Sequence, residues 1–157
     1  MDFDDLPPDL RDGLIAVGEA AQDLREPWWV FGGAAMALYG LTDLHVPDID
    51  VLCARRDAPV LLGALGGHVV PDPGEGLFRS AVFGRAPDQP LLVEVMAELE
   101  TRDGGEWRPA GFTSRRRIVL DDVDLFVPDI RNHIALYRLF GRPKDLVRVE
   151  QLERLIA

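Results

Sequence analysis

The sequence predicts an α+β fold in which a mixed β-sheet is flanked by helices and followed by a C-terminal helical pair. Three observations point there. Short apolar runs rich in aromatic and branched residues, such as Trp28–Phe31 and Leu91–Met96, have the length and composition of buried strands. Apolar positions at three- and four-residue steps near both ends mark amphipathic helices. Between them, residues 28–51 read as strand, tight turn, helix, loop, strand.

Residues 1–9 are acidic and carry Pro7-Pro8, an extended lead-in, with Asp9 placed to cap a helix. That helix runs from Leu10 through Leu24, with Leu10, Leu14, Val17, Ala21 and Leu24 on its inward stripe, and Pro27 ends it. The strand Trp28–Phe31 meets Gly32-Gly33, where the chain turns into a helix beginning at Gly33. Ala34 to Leu38 are good helix formers, and Gly40 is the stop. The next strand holds Asp48 to Val51 and runs into Cys53-Ala54.

Asp57 is placed to cap a helix over Ala58 to Leu65, with Pro59 tolerated in its first turn and Gly66-Gly67 closing it. A short strand, His68 to Val70, comes next. A turn-rich loop from Pro71 to Gly76, including Pro73, separates it from a strand over Leu77 to Phe83. Arg85 to Pro90 reads as a polar turn before the strand Leu91–Met96. Glu98 to Glu106 is polar and reads as a loop, with Trp107 anchoring the chain's return. Ile118 to Leu120 and Val123 to Val127 form a hairpin about Asp121-Asp122. Pro128-Asp129 starts a helix through Phe140, Gly141 stops it, and Arg142-Pro143 opens the last helix. In that helix Leu146, Val149, Leu152, Leu155 and Ile156 are expected to face inward.

The chain's 157 residues suit one domain, and 47% hydrophobic content supports a single sizeable core. Its parts are an N-terminal arm and helix (1–25), a sheet core (26–127) and C-terminal helices (128–157). A net charge of −10 argues against general electrostatic binding to nucleic acid or anionic membranes. No apolar run approaches the roughly 20 residues of a membrane span, and no secretory leader is legible, so a cytoplasmic location is expected. The single cysteine, Cys53, has no internal disulfide partner and reads as a small core residue.

The candidate chemistry sits in the central unit. A helix start beside a turn without side chains leaves backbone N–H groups and the positive end of the helix dipole open to phosphate. Asp48 and Asp50 are two apart on a strand, so their carboxylates share a face while Ile49 and Val51 point to the core. Adjacent carboxylates repel unless a cation lies between them, and oxygen ligands of this kind suit Mg²⁺. Glu94 is a charge between apolar neighbours on another strand. No Gly-x-x-x-x-Gly-Lys pattern is present, which argues against a P-loop kinase, and no His/Cys spacing suggests zinc.

Gly32-Gly33, the following helix, Asp48-x-Asp50 and the separate strand carboxylate Glu94 resemble the nucleotidyltransferases of the DNA polymerase beta superfamily. Trp107 after an acidic-Gly turn, Val127-Pro128-Asp129 and Gly141-Arg142-Pro143-Lys144-Asp145 resemble its small bacterial and archaeal members. Those are related to aminoglycoside and lincosamide adenylyltransferases and to AbiEii-type proteins. The resemblance covers residues 26–157. Two features depart from it: 14 residues separate Gly33 from Asp48, slightly more than usual, and Leu44 and Val46 stand where Arg and Thr are frequent.

The resemblance implies the nucleotidyltransferase fold, with the metal site at the sheet's edge, and Mg²⁺-dependent transfer of a nucleoside monophosphate, AMP, from a triphosphate such as ATP to an acceptor hydroxyl. Asp48, Asp50 and Glu94 would hold two Mg²⁺ ions, and Glu94 or an ion would help remove the acceptor's proton. Gly32 and Gly33 would offer N–H groups to the β- and γ-phosphates. Lys144, the single lysine among 17 basic residues, is either a phosphate contact or a surface residue paired with Asp145 or Asp129. The acceptor is a small molecule, a protein or RNA, and a homodimer completing the cleft is one way to hold it. The alternative is a catalytically weak nucleotide- or partner-binding member, such as an antitoxin-type protein.

Secondary candidates carry both functional and structural readings. Arg115 to Arg117 would steer an anion or lead into a strand, Trp28 and Trp29 would stack on a base or fill the core, and His45 lies where it can reach the site. His68 and His133 read as structural.

Overall fold

The computed structural model describes residues 3–72, 74 and 76–157. Along the chain it contains α1 (Pro8–Ala20), β1 (Trp29–Phe31), α2 (Gly32–Leu38), β2 (Asp48–Cys53), α3 (Ala58–Ala64), β3 (His68–Val69) and β4 (Phe78–Arg79). There follow β5 (Val82–Ala86), β6 (Leu92–Ala97), β7 (Glu100–Asp103), β8 (Glu106–Pro109), β9 (Arg116–Leu120), β10 (Val123–Val127), α4 (Ile130–Phe140) and α5 (Pro143–Leu155). Pro73 of the turn-rich loop and the first two residues of the lead-in lie outside the described residues. Among the described residues no helix is long and apolar enough to cross a membrane.

The principal sheet has the order β1-β2-β6-β5-β3, with β2 and β6 parallel and the other pairs antiparallel, the mixed sheet that was expected. Register fixes its two faces. Asp50 lies opposite Phe31 on one side and Glu94 on the other, and Glu94 lies opposite Arg85. Phe31, Asp50, Glu94 and Arg85 therefore form one row across four strands. The neighbouring row, Val51, Val95 and Gly84, faces the other way. Helices α1 and α3 cover that second face. A Cβ on Gly13 of α1 would meet Ile49 Cδ1 at 2.8 Å, and one on Gly84 would meet Leu62 of α3 at 2.2 Å, so helix and sheet meet with no room for a further carbon. Ile49, Val51, Val93 and Val95 are wholly buried between these layers. The pair α4–α5 stands on the opposite, polar-row side, where it contributes lining to a cleft.

Several local expectations need correction. Helix α1 starts at Pro8, where proline suits the first helical position, so Asp9 lies in the first turn and caps nothing. It ends at Ala20, and the backbone farther on is held by Asp57, which accepts hydrogen bonds from the N–H groups of Arg25 (3.4 Å) and Glu26 (3.0 Å). The same bonds explain why Asp57, although at the start of α3, makes no capping bond there. The predicted strand Leu77–Phe83 is two strands in two sheets. Asp72 accepts from the Ser80 N–H at 2.7 Å and breaks the run, so β4 pairs with β7 while β5 pairs with β6. The polar turn predicted over Arg85 to Pro90 begins two residues later, because Arg85 and Ala86 end β5.

The predicted loop Glu98–Glu106 is instead part of the hairpin β7–β8, turned by Gly104 and Gly105 at positive φ. Its apolar signal was hidden because Trp107 packs between two guanidinium groups, Arg79 at 4.4 Å and Arg102 at 4.7 Å. In α5, Val149 and Leu152 are buried, but Leu146 and Leu155 face solvent at 49% and 38% exposure. The hairpin β9–β10 and α4 stand as predicted. Asp129 caps α4 through the Arg131 N–H at 3.0 Å, and Gly141 ends it in the left-handed conformation.

Candidate active site

Asp48 and Asp50 come forward together because β2 alternates. Glu94 meets them because β6 runs parallel to β2 with Asp50 and Glu94 in register. One carboxylate oxygen from each of the three lies within 4.8 Å of the others. These are the second and third strands of five, so the cluster stands on the middle of the sheet and not at its edge. The electrostatic consequence is direct. Burial, then the charges of Asp48 and Glu94, push the Asp50 carboxyl up to about 7, against the pull of Arg148 and Lys144. Burial likewise raises Glu94, opposed by Arg85, whose Nε donates to Glu94 Oε2 at 3.2 Å.

The glycine turn follows β1 directly. Gly32 has φ +71°, and a Cβ there would lie 3.1 Å from Asp50 Oδ2. Glycine is favoured by the backbone conformation, and the carboxylate leaves a Cβ little room. The helix behind it, α2, is only seven residues long. Its first N–H does not point into an open space: Gly32 N–H donates to His133 Nε2 at 3.1 Å. Gly33 sits beside Val46 and Arg148.

These elements border a cleft of about 600 Å³. All six residues that the sequence nominated, Gly32, Gly33, Asp48, Asp50, Glu94 and Lys144, line it, as does His45. Lys144 is exposed at the start of α5, and both carboxylates suggested as its surface partners have other contacts. Asp145 is fully buried and accepts from Arg142 Nε at 2.6 Å and Nη2 at 3.0 Å, and Asp129 is the cap of α4.

Other candidates are directed elsewhere. Trp28 packs edge-on against Phe126, and Trp29 Nε1 donates to the Ser114 carbonyl at 2.8 Å. Arg115 covers the Phe126 ring at 3.8 Å, and Arg117 pairs with Asp124. Cys53 is buried, with its thiol pushed up to about 12 by burial and by Asp57.

Three arginines of the cleft were not nominated: Arg85, Arg142 and Arg148. Arg148 lies four residues after Lys144, one helical turn along the same side of α5, which was a readable signal. Arg85 reaches Glu94 only through the β5–β6 pairing, which a predicted turn concealed.

Neither protein-family models nor curated proteins gave a match to this sequence. Solved structures do. A Thermotoga maritima protein assigned as a nucleotidyltransferase is 21% identical, with a TM-score of 0.67 over 88% of this chain and 85% of that one. The antibiotic-resistance factor ANT(2'')-Ia is 16% identical, with a TM-score of 0.59 over 90% of this chain and 80% of its own. It has also been solved in complex with adenylyl-2''-tobramycin. A nucleotidyltransferase-like protein of Paracoccidioides brasiliensis is 15% identical, with a TM-score of 0.57 over 94% and 75%. A mixed sheet whose neighbouring strands β2 and β6 carry three converging carboxylates beside a glycine corner, superposing on these proteins over most of its length, has the α+β fold of the nucleotidyltransferases.

Proposed function

We propose that this protein is a magnesium-dependent nucleotidyltransferase that moves a nucleoside monophosphate, AMP, from ATP to the hydroxyl of an acceptor. The observation that carries this reading is the meeting of Asp48, Asp50 and Glu94 within 4.8 Å in a cleft that also holds Lys144 and Arg148. The donor set fits a hard divalent cation. Three carboxylate oxygens gather where repulsion and burial already lift Asp50 to about 7, a penalty that a bound cation removes. Mg²⁺ in such a site supplies neutralising charge to the attacking and leaving oxygens of a phosphoryl displacement.

The chain's own residues divide the remaining work. Asp48 and Asp50 would hold the ion that accompanies the triphosphate, and Glu94 would join them for a second. Glu94, with Oε2 held by Arg85, or the second ion would help remove the proton of the acceptor hydroxyl. Lys144 and Arg148 bind phosphate oxygens, Arg148 with the planar fork that matches them. Gly33 offers its N–H to the phosphates, and Gly32 contributes by having no side chain between them and Asp50.

The choice of AMP is carried over from ANT(2'')-Ia, whose structure holds an adenylylated product. The reading takes residues 1–157 as one domain in the cytoplasm, with the acceptor a small molecule, protein or RNA held with the help of a second copy. Titration calorimetry with ATP and Mg²⁺ tests it. Metal-dependent binding that disappears in Asp48→Asn, with pyrophosphate released when cell extract supplies an acceptor, is the expected result. Binding without release with any acceptor would leave the nucleotide-binding, antitoxin-type reading, and no binding would end both.

A further inference from the structure

We propose that His133 is the positioning residue of the glycine turn: a neutral imidazole, protonated at Nδ1, that holds Gly32 from behind so that the turn presents a fixed surface to the triphosphate. The inference rests on the transferase reading and adds to it a residue outside the carboxylate cluster. His133 is fully buried on α4, 101 residues from Gly32 in sequence, yet its Nε2 lies 3.1 Å from Gly32 N. A backbone N–H can only donate, so Nε2 must carry the lone pair and the ring proton must be on Nδ1. The surroundings agree. Nδ1 lies 3.1 Å from Tyr39 Oη, and Tyr39 Oη in turn lies 2.6 Å from the Pro128 carbonyl, which accepts its proton. The chain of donors therefore runs in one direction, from His133 Nδ1–H to Tyr39 O–H to Pro128 O. This relay fixes the tautomer and aims the Nε2 lone pair at the turn.

The other side of the imidazole is fixed as well. It stacks on Tyr137, one turn along α4, at 4.7 Å and 12°. Tyr137 Oη accepts from Arg148 Nη1 at 3.1 Å, and Arg148 lines the cleft beside Gly33. One face of α4 thus supports both the glycine turn and a cleft cation. The metal-binding carboxylates stand on β2 and β6, where strand register and not His133 determines their approach. That separation predicts a split: loss of the imidazole acceptor disturbs the triphosphate surface and spares the bare metal site.

The experiment compares His133→Phe, which keeps the stack and loses the acceptor, with His133→Gln, whose amide can accept from Gly32 and donate to Tyr39. Binding is measured twice for the full chain, with Mn²⁺ alone and with a non-hydrolysable ATP analogue plus Mg²⁺. The expected result is Mn²⁺ affinity within about twofold of the parent in both variants. Analogue affinity should fall about tenfold or more in His133→Phe, the scale of one unpaired buried hydrogen-bonding group, and recover most of that in His133→Gln.

Equal analogue affinity in His133→Phe and parent overturns the role, and so does a parallel loss of Mn²⁺ binding, which marks a residue of the general fold. Should His133→Phe not fold, a loss of about tenfold or more in analogue affinity in His133→Gln also overturns it. Two-bond ¹H–¹⁵N spectra of the parent must show the Nδ1–H tautomer, and a proton on Nε2 refutes the assignment. A parent that binds Mn²⁺ but no triphosphate defeats the transferase reading itself, an outcome distinct from each of these.

Discussion

Asp50 and Glu94 face one another across neighbouring parallel strands, in register, with Phe31 beyond the first and Arg85 beyond the second. Two acids in adjoining positions of a sheet oppose folding unless something positive joins them. The pairing therefore has consequences for stability as well as for chemistry.

Asp50→Asn should stabilise the metal-free protein, and increasingly so as pH rises. The Asp50 carboxyl is raised from an ordinary 3.8 to about 7. Between those values the folded chain binds more protons than the unfolded one, so this group's contribution to stability is present below the lower value and lost as pH climbs through the upper. His133, lowered to about 3 by burial and by Arg148, acts with the opposite sign on the acid side. Comparing variant with parent removes that term. Urea melts at pH 5 and pH 8 should show the advantage of Asp50→Asn growing by about 2–4 kcal/mol, with Mg²⁺ reducing it at pH 8.

Gly32→Ala should impair both folding and metal binding. The residue is at φ +71°, and its new methyl would sit 3.1 Å from Asp50 Oδ2. A loss of about 1–2 kcal/mol in a urea melt is expected from the backbone conformation alone. Mn²⁺ binding should weaken as the carboxylate is pushed aside. A variant with parental Mn²⁺ affinity would show that the turn does not crowd Asp50.

Arg148→Ala should leave thermal stability within about 1 kcal/mol of the parent, because the side chain lines an open cleft and its bond to Tyr137 is partly exposed. Triphosphate affinity should fall about tenfold or more by calorimetry. Lys144→Ala should fall less, since a lysine meets phosphate as a point charge and not as a fork.

Asp57→Ala should destabilise the fold without touching the site. Its nearly buried carboxylate accepts from two backbone N–H groups in the segment between α1 and β1. Leaving these without an acceptor should cost about 2–3 kcal/mol in chemical denaturation, with Mn²⁺ binding unchanged below the melting transition.

The carboxylate cluster was legible because its evidence is local. Asp48 and Asp50 share a face by strand alternation alone, Gly32-Gly33 announces a turn wherever it occurs, and Glu94 is conspicuous among apolar neighbours. What stayed hidden depends on partners distant in sequence. The bond that takes up the Gly32 N–H comes from His133, 101 residues later, and nothing near either residue announces it. Leu77–Phe83 has the composition of one strand, and only the bond from Ser80 to Asp72 divides it. The hairpin β7–β8 escaped notice because arginines packed on an indole read as surface charge. For Lys144 the sequence left two readings open, and that Asp145 is bound by Arg142 could not be read from it.

Cys53 lies at the far end of β2, the strand that begins with Asp48 and carries Asp50, and its buried thiol resists ionisation. A sulfhydryl reagent should therefore react with it slowly while that strand stays paired, and faster when it separates from its neighbours. Nature has thereby supplied this molecule with one internal reporter, attached to the backbone segment whose integrity the proposed catalysis requires, and labelling rates with and without divalent ions would time its opening.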